Sequence, residues 1–217
     1  MAGDRLRINE IFFSIQGEST WAGRPCAFVR LTGCNLRCVW CDTEYAFREG
    51  RQMTVAEVVD RVLAYRSDLV EITGGEPMLQ PGIHPLIARL LEAGLTVMIE
   101  TSGASDLAHL DPRVIKIMDL KCPASGESDR NLWSNLEQLG PRDEIKFVVA
   151  DRADYEWARA VTTHHHLADR VNAILLSPAF GILAPDSLAR WILADRLPVR
   201  MQLQMHKHIW PPDTRAV

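Results

Sequence analysis

Three cysteines, Cys34, Cys38 and Cys41, stand in the run Cys-Asn-Leu-Arg-Cys-Val-Trp-Cys. The spacing supplies three thiolates and no local fourth. A structural zinc site wants four protein ligands in a tetrahedron, and here Cys26, Cys122 or a distant histidine would have to complete it. A cubane iron–sulfur cluster has four irons. Three cysteines hold three of them and leave the last open to a small molecule. The missing ligand therefore suggests a cluster that does chemistry rather than one that only carries electrons.

Other residues could join such chemistry. Gly74-Gly75-Glu76-Pro77 removes two side chains at a strand end, where backbone can approach a ligand closely, and Pro77 fixes the exit angle. Asp42 and Thr43 follow the last cysteine. As residue types they suit a helix N-cap, and the Thr43 hydroxyl also suits a hard cation such as Mg²⁺. Gln16 offers donors and an acceptor for the amide-like edge of a pterin or purine. Arg30 could fork onto a carboxylate or form an ordinary surface ion pair. No side chain stands out as a general base; Glu18 is the one carboxylate singled out. His206 and His208, two apart, would face one side of an extended chain. Consecutive His164, His165 and His166 point in different directions and read as a helix end. Cys26 reads as a packed small hydrophobe, whereas Cys122 lies in a loop near the expected pocket.

These residues must be placed by the elements around them. The chain of 217 residues is 47% hydrophobic, enough for one good-sized core. It reads as one domain, 1–217, with a substrate segment at 5–30, a cluster loop at 33–45 and a contacting tail at 202–217. Strand readings fall at 5–13, 25–32, 69–73, 95–101, 114–120, 143–149, 171–177 and 198–205. Helix readings fall at 54–65, 82–93, 128–138, 152–166 and 185–195. Thr54 and Glu57 form a capping box at the start of the first helix. Such alternation implies an α/β fold with a mostly parallel sheet. The units are too few for a closed eight-fold barrel, so a partial, open (β/α) barrel is expected. In parallel architectures sites sit at the carboxyl ends of the strands, and the unusual loops fall there.

No stretch approaches the roughly 18 apolar residues that span a bilayer, and the first residues lack the apolar core of a leader. Five cysteines, three of them clustered, read as metal-site usage in a reducing cytoplasm. The net charge of −4 and the lack of a long basic run argue against nucleic acid as partner. A small-molecule substrate is the expectation.

The cysteine run, with aromatic Trp40 before its last cysteine, resembles the signature of the radical S-adenosylmethionine (SAM) superfamily. Further runs narrow the resemblance: Glu10-Ile-Phe-Phe-Ser-Ile-Gln-Gly-Glu18, Gly23-Arg24-Pro25, Phe28-Val-Arg-Leu-Thr-Gly-Cys34, Trp40-Cys-Asp-Thr43, Thr73-Gly-Gly-Glu-Pro77 and the Gln204-x-His-Lys-x-Ile-Trp210 tail. From residue 10 to about 212 the chain is similar to the 7-carboxy-7-deazaguanine synthase family.

That resemblance implies a fold of the radical SAM type, a 4Fe–4S cluster, SAM and Mg²⁺. It implies conversion of 6-carboxy-5,6,7,8-tetrahydropterin to a 7-deazapurine by hydrogen abstraction at C6, ring contraction and loss of ammonia, with SAM regenerated. It further implies a homodimer and a flavodoxin- or ferredoxin-like electron donor. Carried onto this sequence, Cys34, Cys38 and Cys41 hold the cluster and Thr43 reaches Mg²⁺. Trp40, Cys41, Asp42, Gly75, the loop Lys121, Cys122 and Pro123, and the loop Ser177, Pro178, Ala179 and Phe180 would meet SAM. Ile15, Gln16, Gly17, Arg30, Thr73, His206 and Pro212 would meet the pterin. The chain runs five residues past Pro212, so no terminal carboxylate is offered at that residue. A glycyl-radical activase shares the cysteine spacing and a zinc protein shares the triad; these are the alternative readings.

Overall fold

Apolar, β-branched runs pair side by side into one sheet, and their order in space almost follows their order in the chain. The computed structural model describes residues 4–217, so the first three residues of the leader reading lie outside it. The strands are β1 (Arg5–Ile15), β2 (Pro25–Leu31), β3 (Arg51–Thr54), β4 (Leu69–Gly74), β5 (Thr96–Thr101), β6 (Ile115–Asp119), β7 (Glu144–Val149), β8 (Ala173–Pro178) and β9 (Arg200–Met201). Their order across the sheet is β3-β1-β2-β4-β5-β6-β7-β8-β9. From β2 to β9 every pairing is parallel; β1 runs antiparallel to both β2 and β3. The terminal strands β3 and β9 do not pair with each other, so the sheet is an open partial barrel.

The crossover helices are α1 (Val55–Ala64), α2 (Ile83–Glu92), α3 (Arg152–His164) and α4 (Pro185–Asp195). Each presents an apolar stripe to the outer face of the sheet. Val55, Val58 and Val62 of α1 and Ile83, Leu86, Ile87 and Leu90 of α2 are buried there against Val29, Ile72, Val97 and Ile99. The expected capping box is formed: the Thr54 hydroxyl accepts from the Glu57 amide while the Glu57 carboxylate accepts from the Thr54 amide. The three consecutive histidines do end α3, with His166 in the left-handed region.

Two segments depart from the periodicity. Residues 128–138 were expected as a helix and instead form two short 3₁₀ turns, Ser128–Arg130 and Trp133–Gln138. The cause is side-chain competition for backbone partners. Asn131 accepts from the Lys121 amide and donates to the Lys121 carbonyl; Asn135 accepts from the Leu107 amide and donates to the carbonyls of Gly103 and Ser105. The strand expected at 198–205 shrinks to β9. Beyond it the chain breaks away and makes one helical turn, α5 (His206–Ile209), so His206 and His208 do not share the side of an extended strand.

Candidate active site

The inner face of the sheet changes character along its strands. Near the amino ends, inward side chains are apolar: Phe28 on β2, Leu69 on β4, Met98 on β5 and Ile117 on β6 fill the concavity together with Phe12. Because strand side chains alternate, the next inward position lies two residues on. There the residues are Arg30, Glu71, Glu100 and Asp119, joined by Lys146 from β7. A charged floor therefore lies on an apolar plug, beneath a cavity of about 550 Å³.

Lys146 is the hub of that floor. Its ammonium bonds to Glu18 at 2.9 Å, lies 3.7 Å from Asp119 and contacts Glu100. Burial disfavours its charge, yet the carboxylates of Glu100, Glu18 and Asp119 outweigh that and raise its pKa. One ammonium cannot neutralise three carboxylates equally. Burial opposes the charge on Glu18 too, but Lys146 and the Gln204 amide hold its pKa low; Glu100 is pushed up by burial. Lys121 pairs with Asp119 at 2.8 Å, and the other Asp119 oxygen, Oδ1, is buried with no partner among the described residues.

Above the floor, the loops after β2 and β4 interlock. The Glu76 amide donates to the Gly33 carbonyl, and the Gly75 amide to Leu31. Gly74 adopts φ +151°, and a Cβ there would stand 2.4 Å from the Leu31 carbonyl. A Cβ on Gly75 would meet Gly33 O at 2.1 Å and Cys34 Cβ at 2.8 Å, so any side chain would displace the first cysteine. Glu76 is buried; its carboxylate takes hydrogen bonds from Thr101, from the Ser102 amide and hydroxyl, and from the Met78 amide. It pins the Gly-Gly loop to the end of β5.

Cys34, Cys38 and Cys41 line one cavity wall as free, half-buried thiols. Burial raises the pKa of Cys34 and Cys38. Among the described residues no three Cys, His, Asp or Glu side chains gather as a single ion requires. Cys26 is packed beside Phe28, and Cys122 is buried in the outer core; neither lines the cavity. Three thiols on an open wall beside a glycine cradle fit a cluster with a free corner better than a closed zinc site.

Of the residues expected to meet a cofactor, Trp40, Cys41, Asp42, Gly75, Lys121, Ser177, Pro178 and Phe180 line the cavity. Cys122, Pro123 and Ala179 do not. Cys122 faces the core while Pro123 opens a 3₁₀ turn on the exposed side. Ala179 is buried, its amide committed to the Val149 carbonyl. Thr43 heads the 3₁₀ turn Glu44–Phe47, but its side chain makes no capping bond; its hydroxyl lies in the cavity, 3.8 Å from Cys41 Sγ.

Ile15, Gln16, Gly17, Arg30, Thr73, His206 and Pro212 all line the cavity. Arg30 uses Nε to hold Glu10 at 2.7 Å, and its outer nitrogens make no bond to the described residues. Burial lowers the pKa of His206. The tail is stitched across the cavity. The Met205 amide donates to Gly17, Gln204 donates to Glu18 and Asp42, and Lys207 pairs with Asp42 at 2.6 Å. Residues past Pro212 also return: Arg215 lies 3.8 Å over the Tyr45 ring and pairs with Glu49.

Sequence reasoning missed Glu71, Glu100, Asp119, Lys146 and Lys207. The first four carried a signal: a charged residue inside an apolar parallel strand, where both faces are buried, has to face a partner or a site. Lys207 stood in the tail run that carries the resemblance, but its partner, 165 positions away, was not legible.

The Asp42–Lys207 pair ties the cysteine loop to the tail. Burial would raise the Asp42 pKa, but Lys207 dominates and lowers it. The contribution is therefore complete above the usual carboxylate value and is lost as pH falls through the lowered one. Lys207→Met is expected to raise KM for the substrate roughly tenfold, the worth of one charge-assisted hydrogen bond, and to make the tail sensitive to limited proteolysis at neutral pH. Unchanged KM and cleavage would show that the clasp does not shape the site.

Residues 28–119 match the Radical SAM superfamily. A 7-carboxy-7-deazaguanine synthase of Koribacter versatilis is 49% identical over 98% of this chain and 100% of its own. That of Chlorobaculum tepidum is 48% identical over 98% and 97%. The crystal structure of QueE from Escherichia coli matches with a TM-score of 0.74 at 25% identity, covering 93% of this chain and 95% of that one.

Proposed function

The chain belongs to the 7-carboxy-7-deazaguanine synthase family of radical SAM enzymes, and from that premise we propose how its residues divide the work. The reaction converts 6-carboxy-5,6,7,8-tetrahydropterin to 7-carboxy-7-deazaguanine with loss of ammonia, a carbon–nitrogen lyase reaction. The observation that carries the residue reading is the cavity on which three thiols, a glycine cradle, a guanidinium with its outer nitrogens unbonded by the described residues and a buried charged floor converge.

Cys34, Cys38 and Cys41 would hold the 4Fe–4S cluster. Gly75, Trp40, Asp42, Lys121, Ser177, Pro178 and Phe180 would face SAM. When bound, cluster and SAM would supply hydrogen-atom abstraction at the pterin C6, the hydrogen going back to the rearranged ring so that SAM is regenerated. The remaining catalysis belongs to the chain. Arg30 presents its outer nitrogens to the substrate carboxylate, and Thr43 would hold Mg²⁺ through its hydroxyl oxygen. Gln16, Thr73 and His206 orient the ring, which holds C6 close to the reactive carbon. The tail from Gln202 to Pro212 covers the cavity and excludes water.

One domain would carry all of this, paired with a second copy as a homodimer in the cytoplasm and reduced by a flavodoxin- or ferredoxin-like donor. The described residues include no helix long and apolar enough to cross a membrane. The test is anaerobic reconstitution with iron and sulfide, then incubation with SAM, a reductant, Mg²⁺ and 6-carboxytetrahydropterin. A 7-deazapurine product with SAM left unconsumed is expected; a metal content of one zinc without sulfide, or no deazapurine, would refute the reading.

A further inference from the structure

We propose that Glu71 is the residue that selects a 2-aminopyrimidinone ring, its carboxylate accepting the parallel N–H donors of the ring nitrogen and the exocyclic amino group. The inference rests on the pterin reading above. It starts from the register of two neighbouring strands. Phe28 on β2 lies opposite Glu71 on β4, and Arg30 lies opposite Thr73, two residues nearer the carboxyl ends. All four side chains line the cavity. The cavity wall thus has two levels, an aromatic–carboxylate level below and a guanidinium–hydroxyl level above, about 7 Å apart by strand rise. That separation suits a fused two-ring heterocycle with a donor edge at one end and a carboxylate at the other.

The lower level is built for a flat ring. Phe12 and Phe28 stack with centroids 4.8 Å apart and an interplanar angle of 9°, and both border the cavity. Glu71 is 4% exposed, and no lysine or arginine of the described residues bonds to its carboxylate. Among the described residues the carboxylate takes a single hydrogen bond, from the Gln16 side-chain amide to Oε2. Gln16 is fixed in turn, its carbonyl accepting from the Glu18 amide at 3.0 Å. Oε1 takes no hydrogen bond from the described residues, and Oε2 keeps a second lone pair.

A buried carboxylate with acceptor capacity to spare is expensive unless a donor reaches it. The surrounding charges make this sharper: burial, Glu100 and Glu18 all raise the Glu71 pKa. Two N–H groups from a ligand would relieve that, and the edge of a 2-amino-4-oxopyrimidine presents such a pair in one plane. A 2-oxo ring would set an oxygen against the carboxylate instead. Sites built to bond a substrate N–H reject analogues that lack it far more strongly than apolar pockets reject shape changes.

The test uses the reconstituted holoenzyme with SAM and without reductant, so that binding is read apart from turnover. Binding of 6-carboxytetrahydropterin and of its 2-oxo analogue, the corresponding lumazine, is measured by equilibrium dialysis. The wild type is expected to favour the 2-amino compound by about 10³-fold or more. Glu71→Gln and Glu71→Ala are expected to lose most of that preference, with KM for the pterin rising far more than kcat falls, while SAM binding and the melting temperature stay near wild type. A wild type that binds both compounds equally overturns the proposal even if the variants fail to fold. So do variants that retain the preference. A wild type that neither binds nor converts the pterin defeats the functional reading instead, and the two failures are distinct.

Discussion

Cys38→Ala is expected to abolish turnover, with product below the background of the unreconstituted protein. Two thiols cannot hold three irons, and an iron without its thiolate is open to solvent and oxygen. The wall offers no replacement, because neither Cys26 nor Cys122 lines it. Iron and sulfide analysis after reconstitution checks the loss directly, and the same holds for Cys34 and Cys41. The paired expectation concerns the other two cysteines. Cys26→Ala and Cys122→Ala should retain the full iron and sulfide content, their cost being confined to packing. Loss of iron in the Cys122 variant would reopen the possibility of a fourth thiolate and overturn the assignment of an open corner.

The second large effect is expected at Lys146. Lys146→Met leaves Glu18 and Glu100 in a buried site without their ammonium, while Asp119 keeps its pair with Lys121. Removing one partner of a buried ion pair costs about 3–5 kcal/mol. For a domain of this size the melting temperature should fall by about 10 °C. The pH dependence identifies the cause. Without the ammonium that opposes their burial, the folded-state pKa values of Glu18 and Glu100 rise above their unfolded values. Folding then favours the protonated form, so the variant loses stability as pH rises through that window. The deficit relative to wild type should shrink toward about pH 5. Lys146→Arg, which keeps the charge, should recover most of the loss. A Met variant with wild-type stability at pH 8 would show that the carboxylates are not held by this lysine. Activity should fall with it, since Glu18 and Glu100 border the same cavity.

Much of the site was legible because its signals are local. The cysteine spacing, the Gly74-Gly75 pair and the capping box at Thr54 each act within a few residues. The rhythm of apolar runs set the parallel sheet and placed the unusual loops at one rim. Where the reading failed, a distant partner had decided the outcome. The helix expected at 128–138 gives way because Asn131 and Asn135 bond to backbone at Lys121, Gly103, Ser105 and Leu107. The last expected strand gives way because Gln202, Gln204 and Lys207 are drawn to Ser19, Glu18 and Asp42. Cys122 and Pro123 follow a strand as a site loop should, yet the turn after Lys121 points them away from the cavity.

By itself, then, the sequence determined the cysteine triad, the alternating α/β architecture and the family resemblance, since each is written in spacing along the chain. Only the tertiary structure decided which charges share a floor, which thiols stay out of the cavity and how the tail closes over it. The physical reason is range. Thiolate geometry and helix periodicity are fixed by neighbouring residues, whereas the partner of a buried charge is whichever group another strand brings within a few ångströms.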